Sequence, residues 1–168
     1  MDKVLFVEQI VEYIDPMQVE LLSALARREN FATYFATLQD HDLEEELKRI
    51  KPDIVAFSAK TGQHRYYLKA AQVVKKYSKD IQIVMGGPHT TFFPSVIEDE
   101  NIDFVGAGEC DYAWPELLRA LRDGNNPHQI KNIFTKENWF QRFRLAPKHE
   151  LNGHYGNRVS DLDALPFF

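Results

Sequence analysis

The sequence predicts an α/β domain: a doubly wound, five-stranded parallel sheet with helices on both faces. Three observations carry that prediction. Short apolar runs alternate with segments of helical period from Lys3 to Arg122. The middle runs are apolar throughout rather than alternating, as strands buried on both sides must be. Glycine or proline punctuates the junctions, as in Lys51-Pro52-Asp53, Gly86-Gly87 and Gly106-Ala107-Gly108.

In order, Lys3 to Val7 reads as the first strand, followed by a loop through Asp15-Pro16. Met17 to Arg28 carries Val19, Leu22, Leu25 and Ala26 at helical spacing. Phe31 to Leu38, rich in aromatic and β-branched residues, is the second strand. Asp42 to Ile50 is a helix with Leu43, Leu47 and Ile50 on one face and acids in its first half. Pro52 stops it, because the residue before proline avoids the helical region. Ile54 to Phe57 is the third strand, Tyr66 to Tyr77 the third helix and Ile81 to Met85 the fourth strand. Pro94 to Glu100 reads as a short helix and Ile102 to Val105 as the fifth strand. Asp111 is the expected N-cap of a last helix running to Arg122, with Pro115 tolerable in its first turn.

The domain is expected to span residues 1–124, with 125–168 a hairpin and linker. Ile130 to Thr135 and Trp139 to Phe143, separated by Lys136-Glu137-Asn138, would form the hairpin. The tail ends on Leu165-Pro166-Phe167-Phe168, an apolar terminus that gains nothing by exposure. It reads as a boundary before a further domain; the alternative is a tail folded back onto the sheet.

Composition narrows the function. A chain of 168 residues can bury a core without staples. The net charge of −5 argues against nucleic acid as a partner. No apolar run approaches the ~20 residues that cross a bilayer, so no membrane partner is expected. The start lacks a cleavage-site pattern, and the expected place is the cytoplasm. Cys110 is the single cysteine, which excludes an internal disulfide, a Cys-rich zinc site and a self-contained iron–sulfur cluster.

In an open parallel sheet, ligands bind beyond the carboxyl ends of the strands. Those ends here are Glu8 to Pro16, Ser58-Ala59-Lys60-Thr61-Gly62, Gly86-Gly87-Pro88-His89-Thr90-Thr91 and Gly106-Ala107-Gly108-Glu109. Three of the four are small, polar or glycine-rich, so a ligand can approach the backbone closely. The first loop has no glycine, which removes a dinucleotide fingerprint, and no glycine–lysine spacing makes a phosphate loop. A phospho-acceptor of the receiver type would need an aspartate where Ser58 stands. The six histidines form no zinc pattern; His89 is the best placed, with His64 next. Cys110 reads either as a reactive thiol or as a small buried hydrophobe. Neither paired carboxylates nor a nucleophile–base set emerges at these edges, so the chain reads as a binder.

The segments Gly86-Gly87-Pro88-His89-Thr90-Thr91-Phe92-Phe93-Pro94, Ile102 to Glu109 and Pro115-Glu116-Leu117-Leu118 resemble the N-terminal cobalamin-binding domain of radical SAM enzymes. Lys51 to Ser58 matches that domain's third strand, and Asp161 to Phe167 resembles the linker before the catalytic barrel. The resemblance implies a flavodoxin-like (Rossmann-like) sheet holding cobalamin with its dimethylbenzimidazole tail along the strand ends. Ser58 and Thr61 would lie beside the tail base or its sugar. Gly86 and Gly87 would let the backbone pass close, Pro88 and His89 would flank the tail, and Gly108 and Glu109 would close the far side. The loop from Gln9 to Asp15 would sit under the corrin.

The histidine-ligated branch of cobalamin proteins carries D-x-H-x-x-G after the first strand, and this chain has no histidine before His41. The resemblance therefore implies cobalamin bound without a histidine from that loop. The C-x-x-x-C-x-x-C motif for a [4Fe–4S] cluster and S-adenosylmethionine is absent and would lie beyond Phe168. The implied partner is a C-terminal radical SAM barrel of the same polypeptide, performing methyl transfer or oxidative cyclisation. Two alternatives stay open: a structural domain that takes up no corrinoid, and a binder of nucleotides or sugar nucleotides.

Overall fold

Alternation along each strand decides the layers, because successive side chains leave opposite faces of the sheet. The computed structural model describes residues 1–10, 16–140 and 165–166. The strands are β1 (Lys3–Glu8), β2 (Ala32–Thr37), β3 (Ile54–Ser58), β4 (Gln82–Gly86), β5 (Phe104–Gly106) and β6 (Ile133–Thr135). The helices are α1 (Met17–Arg28), α2 (Leu43–Ile50), α3 (His64–Tyr77), α4 (Pro88–Phe92) and α5 (Ala113–Asp123). Strand order is β2-β1-β3-β4-β5-β6, with β1 to β5 parallel. Strand order reverses between β1 and β3, the switch point at which such sheets bind ligands.

Val4, Phe6, Ile54, Ala56, Val84 and Phe104 face α1 and α5 and pack on Val19, Leu25, Trp114 and Leu117. The alternate residues Leu5, Val7, Val55, Phe57, Ile83 and Met85 face α2 and α3 and pack on Leu47, Ile50, Tyr67 and Val74. Asp42 caps α2 as its side chain accepts the Glu45 amide N–H at 3.1 Å. Doubly wound α/β architecture is thus as expected.

Four expectations are corrected. The sheet has six strands rather than five: Ile133–Thr135 runs antiparallel beside β5, pairing Val105 with Phe134. Among the described residues it does not turn into a hairpin, because Lys136–Asn138 turns helically. Asn138 enforces that turn: its side chain accepts from the Thr135 amide at 2.8 Å and donates to Ile133 O at 3.0 Å. The distal part of the expected hairpin, 141–143, and the linker segment 161–164 lie outside the described residues. Covering the exposed edge of β5 buries Phe134 completely, with Trp139 edge-on at 5.8 Å. The loop after β4 contains α4, which starts on Gly87 with Pro88 in its first turn. The helix expected over 94–100 is a 3₁₀ turn, Pro94–Glu98. Asp111 does not cap α5, whose N-cap is Tyr112 without a side-chain bond.

If β6 belongs to the core, Phe134→Ala should lower unfolding free energy by about 3–5 kcal/mol. Urea unfolding checks this, and a change within about 0.5 kcal/mol would place Phe134 with surface residues instead.

Candidate functional site

The register places a row of Phe6, Ala56 and Val84 side by side on the α1/α5 face. Two residues further along, the same face carries Ser58 paired with Gly86 and, on β5, Gly106 paired with Ile133. Side-chain volume therefore drops from a phenylalanine-containing row to a serine and two glycines at the switch-point end. Helices α1 and α5 cannot follow the sheet into that space, since Trp114 props them. Its indole N–H donates to Leu22 O at 3.0 Å, and its ring lies 5.8 Å from that of Phe6. The result is a cavity of about 630 Å³ bounded by Phe6, Leu22, Ala56, Val84, Trp114 and Ile133. That volume suits a small molecule or part of a cofactor.

The rim is tightly built. Gly87 has φ +96°, and a Cβ there would stand 2.7 Å from Ala59 N and 2.8 Å from Ala59 O. Ala59 N–H donates to Gly86 O, and His89 N–H donates to Ala59 O, both at 2.8 Å. The buried Thr90 hydroxyl lies 2.9 Å from Gly87 O and 2.6 Å from Gly106 O. Thr91 Oγ1 accepts the Gly108 amide at 2.9 Å and donates to Gly87 O at 3.3 Å. These bonds hold the ends of β3, β4 and β5 in one frame. Gly86 differs from Gly87: a Cβ there meets nothing nearer than Phe57 O at 3.9 Å.

Of the expected residues, Ser58, Gly86, Gly87, Pro88, Gly108 and Glu109 line the cavity together. Thr61 and His89 do not. In α4, Pro88 and Thr91 share the cavity face at i, i+3, which turns His89 away. The His89 ring stacks on His64 at 4.1 Å and 8° and on Phe93 at 5.1 Å, with Thr61 Oγ1 3.4 Å from its Nδ1. Burial, and then His64, hold the His89 pKa below the ordinary histidine value. His64 Nδ1 is buried without a partner.

Reading loops alone missed Phe6, Leu22, Trp114 and Asn132, because the cavity runs back under the helices, and offered Thr91 in the loop after β4 without singling it out. Counting strand alternation back from Ser58 and Gly86 would have found Ala56 and Val84. Asn132 Nδ2 donates to Glu109 O and fastens the loop between β5 and α5 to the start of β6. Asp111, expected as a cap, lines the cavity instead; burial and then Glu109 raise its carboxyl pKa. The Cys110 thiol is pushed up to about 12 by burial and then by Asp111, so it is protonated at neutral pH and inert as a nucleophile. Of the loop expected beneath a corrin, Gln9 is held by its N–H to Tyr67 Oη at 3.0 Å, and 11–15 lie outside the described residues. Among the described residues, no three His, Cys, Asp or Glu side chains gather to hold a metal ion. No described helix is long and apolar enough to cross a membrane.

A doubly wound sheet with an apolar cavity beneath a glycine-built rim defines a class: an α/β domain with a cavity at its switch point, the place where sheets of this kind take ligands. Residues 4–118 match the family described as the B12 binding domain, and the chain belongs to that family. It is 30% identical over 129 residues to an uncharacterised methyltransferase of Pyrococcus horikoshii, covering 73% of this chain and 28% of that protein. It is 32% identical over 89 residues to the anaerobic magnesium-protoporphyrin IX monomethyl ester cyclase of Rubrivivax gelatinosus, covering 52% of this chain and 16% of the cyclase. The radical S-adenosylmethionine methyltransferase TsrM of Kitasatospora setae, solved with tryptophan and a SAM analogue, shares the fold. Its TM-score is 0.68 at 19% identity, over 80% of this chain and 28% of TsrM. TsrM has also been solved with cobalamin and a [4Fe–4S] cluster bound. The chain thus spans little more than a quarter of the Pyrococcus relative and of TsrM.

The two rim glycines should behave differently. Gly87→Ala, forced into a glycine-only backbone region against Ala59, should cost roughly 3 kcal/mol or more. Gly86→Ala should stay within about 0.5 kcal/mol of wild type. Thermal and urea unfolding compare them, and equal losses would contradict the geometry.

His89 sets a pH dependence. Its folded pKa lies below the unfolded value, so between the two the unfolded chain binds more protons and stability rises with pH. On acidification from about pH 7.5 to 5.5, wild type should lose more stability than His89→Phe, which keeps a stacking ring. Urea midpoints at each pH test this; parallel losses would remove His89 as the cause.

Proposed function

We propose that this chain binds cobalamin as the cofactor module of a longer radical SAM protein, holding the corrinoid by its nucleotide tail. The observation that supports this most directly is the apolar cavity over the Ser58–Gly86–Gly106 floor. A corrin ring is broad and fringed with amides, so an apolar space of about 630 Å³ does not suit it. The flat aromatic base on its tail does suit such a space.

The residues fit that group. Any side chain at Gly86 would project into the space the base needs, and the Ser58 hydroxyl on the floor offers one donor to a ring nitrogen. At the open end, Glu109 and Asp111 can accept from the corrin's amide N–H groups. Thr61 and His89, held in the His64–His89–Phe93 stack, support the rim rather than touch the tail. No histidine precedes His41, so the first loop supplies no imidazole to cobalt.

Cobalamin, once bound, supplies a cobalt centre that carries and hands on an alkyl group. This chain's part is to bind and orient it. The radical SAM barrel, with its cluster and S-adenosylmethionine, would come from polypeptide beyond Phe168, and the whole would carry out methyl transfer or oxidative cyclisation in the cytoplasm.

Titration of the purified chain with hydroxocobalamin, followed by gel filtration, tests the reading. A saturable, stoichiometric corrinoid should co-elute, with the spectrum of cobalt released from its base. Gly86→Leu should bind at least about tenfold more weakly, ~1.4 kcal/mol, while retaining its unfolding transition. Wild-type protein that retains no corrinoid would overturn the proposal.

A further inference from the structure

We infer that the cavity chooses among corrinoids by the base on their tail, taking a benzimidazole and rejecting a purine. The inference rests on the tail-binding reading above and follows from what the cavity lacks. Its deep row, Phe6, Ala56 and Val84, carries no side-chain hydrogen-bonding group. Trp114 has one N–H, and Leu22 O already takes it at 3.0 Å. Thr91 Oγ1 is used twice, by Gly108 N–H and Gly87 O. The Cys110 thiol is directed to Gly108 O at 3.7 Å. Gln18, whose amide also lines the cavity, sits on the exposed first turn of α1, and Ser58 is left as the one hydroxyl on the floor.

A benzimidazole released from cobalt presents one bare ring nitrogen, which a single hydroxyl satisfies. Adenine adds two further ring acceptors and an amino group with two N–H donors. In the deep row these find no partner, and each buried polar group without one weakens binding. Glu109 and Asp111 follow β5 on the strand-end side of the cavity, where they meet the corrin amides and not the far edge of the base. Discrimination here comes from absent partners, a mode that holds the preference to roughly 10²-fold at most.

Equilibrium titration of the 168-residue chain with three probes tests this: cobalamin, the adenine-bearing cobamide, and cobinamide, which has no base. Cobalamin should bind roughly 30-fold more tightly than the adenine form, and cobinamide should also bind weakly. Equal or tighter binding of the adenine form would overturn the selectivity while leaving cobalamin binding intact. Cobinamide binding as tightly as cobalamin would overturn both, since the tail would then not be what the cavity holds. Failure of all three would likewise overturn both.

Discussion

The close passage of the backbone at Gly87 past Ala59 is the contact on which the site depends. With no Cβ at Gly87, the two loops lie close enough for Ala59 to bond both Gly86 and His89 at 2.8 Å. Those bonds start α4 directly at the end of β4. Because α4 begins there, Thr90 and Thr91 reach across to Gly106 and Gly108 and tie in β5. One residue without a side chain thus fixes three strand ends relative to one another, and the floor of the cavity is those three ends. Moving Gly87 outward by the width of a methyl group would separate them all.

The cavity itself comes from an imbalance between the two faces. On the α2/α3 face, Leu5, Val55, Tyr67, Ile83 and Met85 pack into one continuous buried cluster. On the α1/α5 face the filling stops after Phe6, Ala56 and Val84, and Trp114 keeps the helices from collapsing onto Ser58 and Gly86. Apolar surface left open in this way contributes nothing to folding in the free protein. A ligand that covers it binds the folded state alone and raises stability by mass action. The same imbalance that leaves the apo domain less than fully packed is what gives a ligand its driving force.

Much of this was legible in the sequence, and the exceptions have physical reasons. Apolar runs such as Ile54 to Phe57 announce central strands because both of their faces are buried. The neighbours of Ile54's strand, by contrast, are β1 and β4, and strand order is a tertiary fact that local pattern does not encode. The pairing of the sixth strand escaped: the sequence marks Ile130 to Thr135 as one arm of a hairpin, whereas Ile133–Thr135 pairs with β5, far back in the chain, and Asn138 holds a helical turn after it. Glycines at the strand ends pointed to Gly86, Gly87 and Gly108, which line the cavity, though among Gly86 and Gly87 only Gly87 is required by a close backbone approach. His89 and Thr61 looked equally well placed by loop position, and only the 100° step of a helix beginning at Pro88 separates Thr91 from His89.

That step gives α4 two differently built sides, and together they explain its rigidity. Toward the cavity, the hydroxyls of Thr90 and Thr91 are spent on backbone groups. Away from it, His89 is clamped between His64 and Phe93. Holding His89 there has costs: His64 Nδ1 is buried without a partner, and His89 resists protonation. A fold tolerates such costs where the groups fix something else in place. Here they fix the short helix that carries Pro88 and Thr91 into the rim. A rim already held by its own bonds loses little conformational freedom when a ligand arrives, so more of the contact energy appears as affinity. The histidines serve binding through the position of α4, without contact with what is bound.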